Sequence, residues 1–207
     1  MTEALSPYAL LKRAREAMYT LPEGFSGFEA GLFLRHRGVG YRGFLRVEGF
    51  TPRVDLPEEV RPVAEGELAS MLGHRRPRPF HEGEGRYAMR VEEEGPMGVV
   101  VALEDPFRSR IWVREGRLAL IERHLEGKSF RIHLEEFAEA KDGRLLPRRF
   151  TVVHREGGRI VRVERFLDEY QPLGDLHLPV AREVVVEGPE GLSFLALRLE
   201  GFRLLEG

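Results

Sequence analysis

Leu10, Ala14, Ala17 and Leu21, flanked by Leu11 and Met18, recur at spacings of three and four residues, which lines one face of an α-helix. Ser6 as N-cap, Pro7 in the first turn and Leu5 placed to staple onto Leu10 predict where this helix starts. Pro22 and Gly24 predict where it ends. The stripe reads as a face that packs on the protein's own sheet. From Phe28 the period changes to two: Phe28, Ala30, Leu32 and Leu34 alternate with Glu29, Phe33 and Arg35. After a glycine turn, Tyr41, Leu45 and Val47 alternate with Arg42 and Arg46, which predicts a β-hairpin. A second helix is expected between Asp55 and Gly73, regular from Pro62 to Leu72, with Val63, Leu68, Met71 and Leu72 as its apolar face.

Beyond Gly85 the chain reads strand, turn, strand. Turn signals stand at Gly95-Pro96, Asp105-Pro106, Glu115-Gly116, Asp142-Gly143, Gly157-Gly158, Pro172 to Gly174 and Gly188 to Gly191. This spacing leaves no room for crossover helices, so the sheet is expected to be antiparallel. HLEEFAEA, from His133 to Ala140, fits a strand or a helix and is read as strand. The expected fold class is mainly β (α+β): a single domain over residues 1–207, with a strongly curved antiparallel sheet of about ten or eleven strands wrapping two helices.

Composition narrows the function classes. Lys and Arg total 32 against 34 Asp and Glu, a formal charge of -2, which argues against nucleic acid as a partner. Hydrophobic residues make up 42% and charged ones 32%, which excludes a disordered chain and a membrane-spanning helix. The absence of cysteine removes disulfides, thiolate metal sites and cysteine nucleophiles. Asn is absent and Gln171 is the single glutamine, a composition that fits a heat-adapted protein. MTEALSPYALLKRAREAMYTL holds no continuous apolar run, so a cytoplasmic location is expected.

Candidate chemistry is sparse. Gly38, Gly40 and Gly43 match G-x-G-x-x-G, but a strand follows where a dinucleotide site needs a helix, so the motif reads as a hairpin turn. His36, His74, His81, His124, His133, His154 and His177 show no metal-ligand spacing, and neither a metal nor a cofactor is expected. Glu122, Glu164 and Asp168 fall in strands and read as ion-pair partners for the many arginines. Basic residues cluster at Arg35, His36, Arg37, Arg42 and Arg46, with Tyr41 and Phe44 interleaved, and again in HRRPRPF from His74 to Phe80. The second cluster is expected to orient the end of the second helix, with Phe80 as its core anchor and Arg75 and Arg76 contributing little.

A helix running into AMYTLPEGFSGFEA, a PEEV helix followed by HRRPRPF, the LPRRFTVVHREGG strand and ERFLDEYQPLGDLHLPVAREV together span most of the chain. In these segments it resembles an uncharacterised family of about two-hundred-residue proteins from photosynthetic microbes and plastids. That family is similar to the half-barrel of bacterial lipoprotein localisation factors, whose apolar concave face holds acyl chains. The resemblance implies a binding module for an apolar or amphipathic small molecule in the groove of a half-barrel. Phe44, Met71 and Trp112 are then candidates for apolar lining, and Arg76, Arg123 and Arg149 for a polar head group. The alternatives are a cofactor-free enzyme, with His124, His154 and Tyr170 as proton-transfer candidates, or a structural, protein-interaction role.

Overall fold

The computed structural model describes residues 4–207. The first helix, α1, spans Pro7–Glu16, and the Ser6 Oγ accepts the Ala9 N–H at 3.1 Å as its N-cap. It buries Leu11 and Ala14, but it stops one residue before Ala17. Met18 then forms a parallel bridge with Leu145, and Leu5 remains exposed rather than stapled. The chain leaves the helix early because the backbone of residues 17–19 finds strand partners: Leu145 N donates to Ala17 O and Tyr19 N to Leu145 O, both at 2.8 Å.

Three strands follow: β1 (Gly27–His36), β2 (Val39–Glu48) and β3 (Thr51–Asp55). Phe28, Ala30, Leu32 and Leu34 are buried, as the alternation predicts. The Arg37-Gly38 turn has two positive φ angles, 50° and 81°, the twist that suits a two-residue hairpin. A Cβ on Gly43 would lie 2.0 Å from the Asp55 carbonyl oxygen, so this glycine admits β3 and serves no phosphate. Gly43→Ala is expected to cost about 1–3 kcal/mol through that clash, read as a shift in the urea midpoint; an unmoved midpoint would mean that β3 gives way freely.

The second helix, α2, runs Arg61–Gly73 and buries Ala64, Leu68, Met71 and Leu72, with Val63 only half-buried. Two 3-10 turns, Phe80–Glu82 and Glu84–Arg86, lead into nine more strands. These are β4 (Met89–Gly95), β5 (Gly98–Leu103), β6 (Arg110–Arg114), β7 (Arg117–Leu125), β8 (Lys128–Glu139), β9 (Leu145–Glu156), β10 (Arg159–Leu173), β11 (Leu176–Gly188) and β12 (Gly191–Leu204). The HLEEFAEA segment is strand, within β8 and the residue after it. The count is twelve rather than ten or eleven, in part because the Glu126-Gly127 turn, the same dipeptide as Glu115-Gly116, is absent from the turns read in the sequence. Glu126 adopts φ 47°, a conformation uncommon for any residue but Gly, Asn or Asp.

The hydrogen-bonded order is β3-β2-β1-β12-β11-β10-β9-β8-β7-β6-β5-β4. The protein is thus a mainly β chain built on an open antiparallel sheet with two α-helices. Among the described residues, only the β1–β12 pairing joins strands distant in sequence; the rest are neighbours in the chain. Edge strand β3 carries Pro52, which offers no N–H, and its Val54 N–H is taken by the Glu65 carboxylate of α2 at 3.2 Å.

Two compact units are present. The first runs to Tyr19 and includes Arg78–Arg165 and Glu187–Gly191; the second comprises Thr20–Pro77, Phe166–Val186 and Leu192–Gly207. The core of the first unit gathers Leu11 and Ala14 of α1 with Phe80, Val101, Leu103, Ile111, Val113, Leu118 and Ile121. α1 therefore packs on the sheet, as its stripe predicts. In the second unit α2 sets its buried face with β3 and with charged groups of β10 and β11 described below.

Candidate functional site

In the second unit a cleft of about 620 Å³ opens over β3, β2, β1 and β12. Phe44 lines it while 71% exposed, and Ala30, Leu45 and Val54, in the alternating rows, turn their side chains to the core on the opposite face. Phe44 pairs across the strands with Gly31, whose missing side chain leaves room beside the ring. Arg46, Arg53 and Arg203 supply positive charge against Glu29 and Asp55. Glu29 is the hub: Arg203 donates to it from Nε at 3.2 Å and also from Nη2, and Arg46 donates from Nη1. Hydrogen bonds from Arg203 and then Arg46 hold the Glu29 carboxyl below the usual carboxylate range, so it stays ionised. Arg53 has no ion pair among the described residues. The cleft therefore offers one apolar ring on the outward face of the sheet with arginines beside it, which suits a ligand with an apolar body and an anionic head.

In the first unit a second cleft, about 710 Å³, is lined by Arg90, Glu92, Arg108, Arg110 and His124 among others. Two of these lining residues, Arg110 and His124, contact Glu122, a buried carboxylate of β7. Arg110 donates to Glu122 Oε2 and Arg131 to its Oε1, both at 3.4 Å, and His124 Nε2 lies 3.3 Å from the same Oε1. The Trp112 ring sits between the same two arginines, with guanidinium carbons 5.1 and 5.8 Å from its centre. Trp112 lies between Ile111 and Val113, which face the core, so it occupies the opposite face and does not line an apolar interior. Burial, then the Arg131 charge, lowers the pKa of nearby His133 and keeps it neutral.

The other predicted residues are scattered. Met71 is packed in the buried face of α2, and Arg76 is exposed with its guanidinium 5.0 Å above the Phe50 ring. Arg149 is an exposed partner of Glu136 at 2.9 Å. Arg123 donates to Ser109 Oγ at 2.7 Å, while Ser109 donates to Asp105 at 2.5 Å, so it is tied into the β5–β6 loop. Burial lowers its pKa, with Glu84 opposing. His154 meets Glu164 at 2.5 Å. Tyr170 stands beside Asp168; burial, then the Asp168 charge, raises its pKa, so the phenol stays protonated and can donate but not act as a base.

Sequence reasoning missed Arg182. It is 2% exposed on β11 and donates to both oxygens of Asp168 on β10, at 2.7 and 2.8 Å. The same guanidinium reaches Glu67 at 2.9 Å and Ser70 at 3.4 Å, both on α2, and stacks 4.8 Å from the Phe166 ring centre. Burial opposes the charge, but the hydrogen bonds and charge of Asp168, then Glu67, outweigh it and raise the pKa. The expectation that Glu122, Glu164 and Asp168 are ion-paired holds at all three positions.

Residues 2–199 match a family described as a protein of unknown function, DUF3386. The chain belongs to DUF3386. No curated protein matches it. Among solved structures, this DUF3386 chain is similar to a proposed outer membrane lipoprotein-sorting protein domain from Vibrio parahaemolyticus, at 11% identity and a TM-score of 0.40, covering 97% of this chain and 92% of that one. A DUF1329 family protein from Desulfovibrio piger aligns at 8% identity and a TM-score of 0.34, again over 97% and 92%. The MucA/MucB complex of Pseudomonas aeruginosa contains a chain that aligns at 12% identity and a TM-score of 0.24, over 97% and 99%. Among the described residues of the DUF3386 chain no group of three or more His, Asp and Glu is placed to hold a metal, and no helix is long and apolar enough to cross a membrane.

Proposed function

We propose that this DUF3386 chain is a binding module for an amphipathic small molecule with an anionic head, its antiparallel sheet curved into a half-barrel and its ligand seated in the Phe44 cleft. The observation that carries the reading is Phe44 itself: a 71% exposed aromatic on the outward face, beside Gly31 and three arginines. A ligand whose apolar body covers this ring takes apolar area out of water, which favours binding in the cleft. The ligand's apolar body would cover Phe44, and its head would meet Arg53, with Arg46 and Arg203 held in place by Glu29.

Native mass spectrometry of protein purified from cells and titration with a fluorescent fatty acid test this. Uptake is expected in the wild type and a drop of about tenfold or more in Phe44→Ser, which removes most of a side chain's apolar contact. Because Phe44 is exposed, the melting temperature should hold. A clean apo mass together with no fatty-acid uptake would overturn the reading. A second reading, a cofactor-free acid–base enzyme, is favoured by the His124 and Glu122 pair beside Arg108 and Arg110 in the other cleft. It requires that a panel of activated esters and lactones be turned over by the wild type and not by His124→Gln.

A further inference from the structure

The basic cluster from Arg35 to Arg46 is only partly used by the Phe44 cleft; the rest of it lies at the far end of the same strands. There the β1–β2 turn reverses at Arg37-Gly38, and the last paired row on β12 is Leu195 opposite His36. Arg37 N donates to Phe194 O at 3.4 Å, and β12 extends past this turn through Leu192. The overhang from Phe194 to Leu192 is roughly 7 Å at strand rise.

This end is apolar on both faces. Leu192 is 70% exposed, Phe194 56% and Val39 51%. Leu192 and Phe194 alternate with buried Leu195 and so occupy the face opposite the core. Val39 shares a row with His36 and Leu195 and lies on the core face. Apolar side chains on both faces of this end of the sheet, Leu192 and Phe194 on β12 and Val39 on β2, do not form a flat platform for stacking bases or for a globular partner. They form a wedge that a layer can receive end-on. Behind the wedge come cations: Arg35, His36 and Arg37 within two residues of the turn, then Arg42 and Arg198, which flank Phe33 in the next outward-facing row beyond Arg35. The Arg42 guanidinium lies 5.3 Å from the Phe33 ring centre. Against them stand Glu200, one outward-facing row further in opposite Gly31, and, just before Leu192 in the chain, Glu190 and Glu187, the latter paired with Arg165 at 2.8 Å.

We infer that this strand end is a membrane-docking tip that inserts Leu192, Phe194 and Val39 into the headgroup boundary of an anionic bilayer, with Arg35, Arg42 and Arg198 meeting lipid phosphates. Apolar insertion and cation attraction are each weak alone, and together they make reversible peripheral binding. Glu190 opposes the attraction. The inference does not rest on the cleft reading, although an amphipathic cargo in the same unit would have a natural source in such a surface.

Co-sedimentation with vesicles of phosphatidylcholine, alone or with about a third phosphatidylglycerol, tests it. The wild type is expected to bind only the anionic vesicles, less as salt rises. The double variant Leu192→Glu/Phe194→Glu should bind at least tenfold more weakly. Arg198→Gln should weaken binding about fivefold and Glu190→Gln strengthen it. Leu192→Ser and Phe194→Ser, milder changes at exposed sites, keep the test informative if the double glutamate variant fails to fold. Leu125→Glu, an equally exposed apolar site in the first unit, should change nothing. Absence of binding to anionic vesicles, equal binding to neutral ones, or indifference to the tip variants would overturn the inference. So would a single-stranded oligonucleotide that displaces the vesicles and still binds the double variant. Phe44→Ser should leave vesicle binding intact and the tip variants should leave fatty-acid uptake intact, so the two readings fail separately.

Discussion

Arg182→Met is expected to be among the most destabilising single substitutions in the chain, at about 3–5 kcal/mol. The reason is what it leaves behind. Asp168 is 3% exposed and both of its oxygens accept from Arg182, so removing the guanidinium strands a buried carboxylate. The same change frees Glu67 and Ser70 and thereby unfastens α2 from β10 and β11. At roughly 2–4 °C per kcal/mol for a chain of this size, the melting temperature should fall by about 6–20 °C. The double variant Arg182→Met/Asp168→Leu should recover most of the loss, because an apolar pair of similar volume avoids desolvating two charges. Thermal denaturation of the two variants decides the matter. A single variant as stable as wild type, or a double variant worse than the single, would show that Asp168 is not held by Arg182 alone.

Phe80→Ala should cost a comparable 3–5 kcal/mol or so. Phe80 is 9% exposed in the core of the first unit and meets Tyr8 edge-on at 5.0 Å between ring centres. Truncation leaves a cavity among Leu11, Val101 and Ile121 that rigid strand neighbours cannot fill. Arg76→Ala should change stability by no more than about 0.5 kcal/mol, since Arg76 is exposed. Arg75 departs from the sequence expectation: it is buried, so Arg75→Ala falls between the other two. Chemical denaturation of the three variants should rank Phe80 first, Arg75 second and Arg76 last; an Arg76 loss equal to that of Phe80 would reverse the assignment of the anchor.

The candidate site was legible in part. Phe44 and Arg46 stand in the sequence as an aromatic within a basic cluster, and the alternation of the β1–β2 hairpin places both on the outward face. Glu29 also follows from that alternation. Arg53 and Arg203 were not legible as members, because they reach the cleft through β3 and through the β1–β12 pairing, and nothing local in the sequence specifies a partner more than 150 residues away. Trp112 and Met71 were read as lining from residue type alone. Their positions follow from which side of a strand or helix meets the core.

Local rules account for most of the elements. Ser6 and Pro7 start α1, period-two alternation makes β1 and β2, and Gly-containing turns fold the strands after Gly85 into an antiparallel meander, since each needs contacts only a few residues apart. Tertiary structure decided where competing local options existed. It ended α1 at Glu16, because Leu145 offered the backbone of Ala17 and Tyr19 hydrogen bonds that another helical turn would have forgone. It also buried Arg182, since that position on β11 faces both Asp168 and the charged side of α2. A charge is tolerated there because those distant partners arrive together, and the sequence of any one strand carries no record of them.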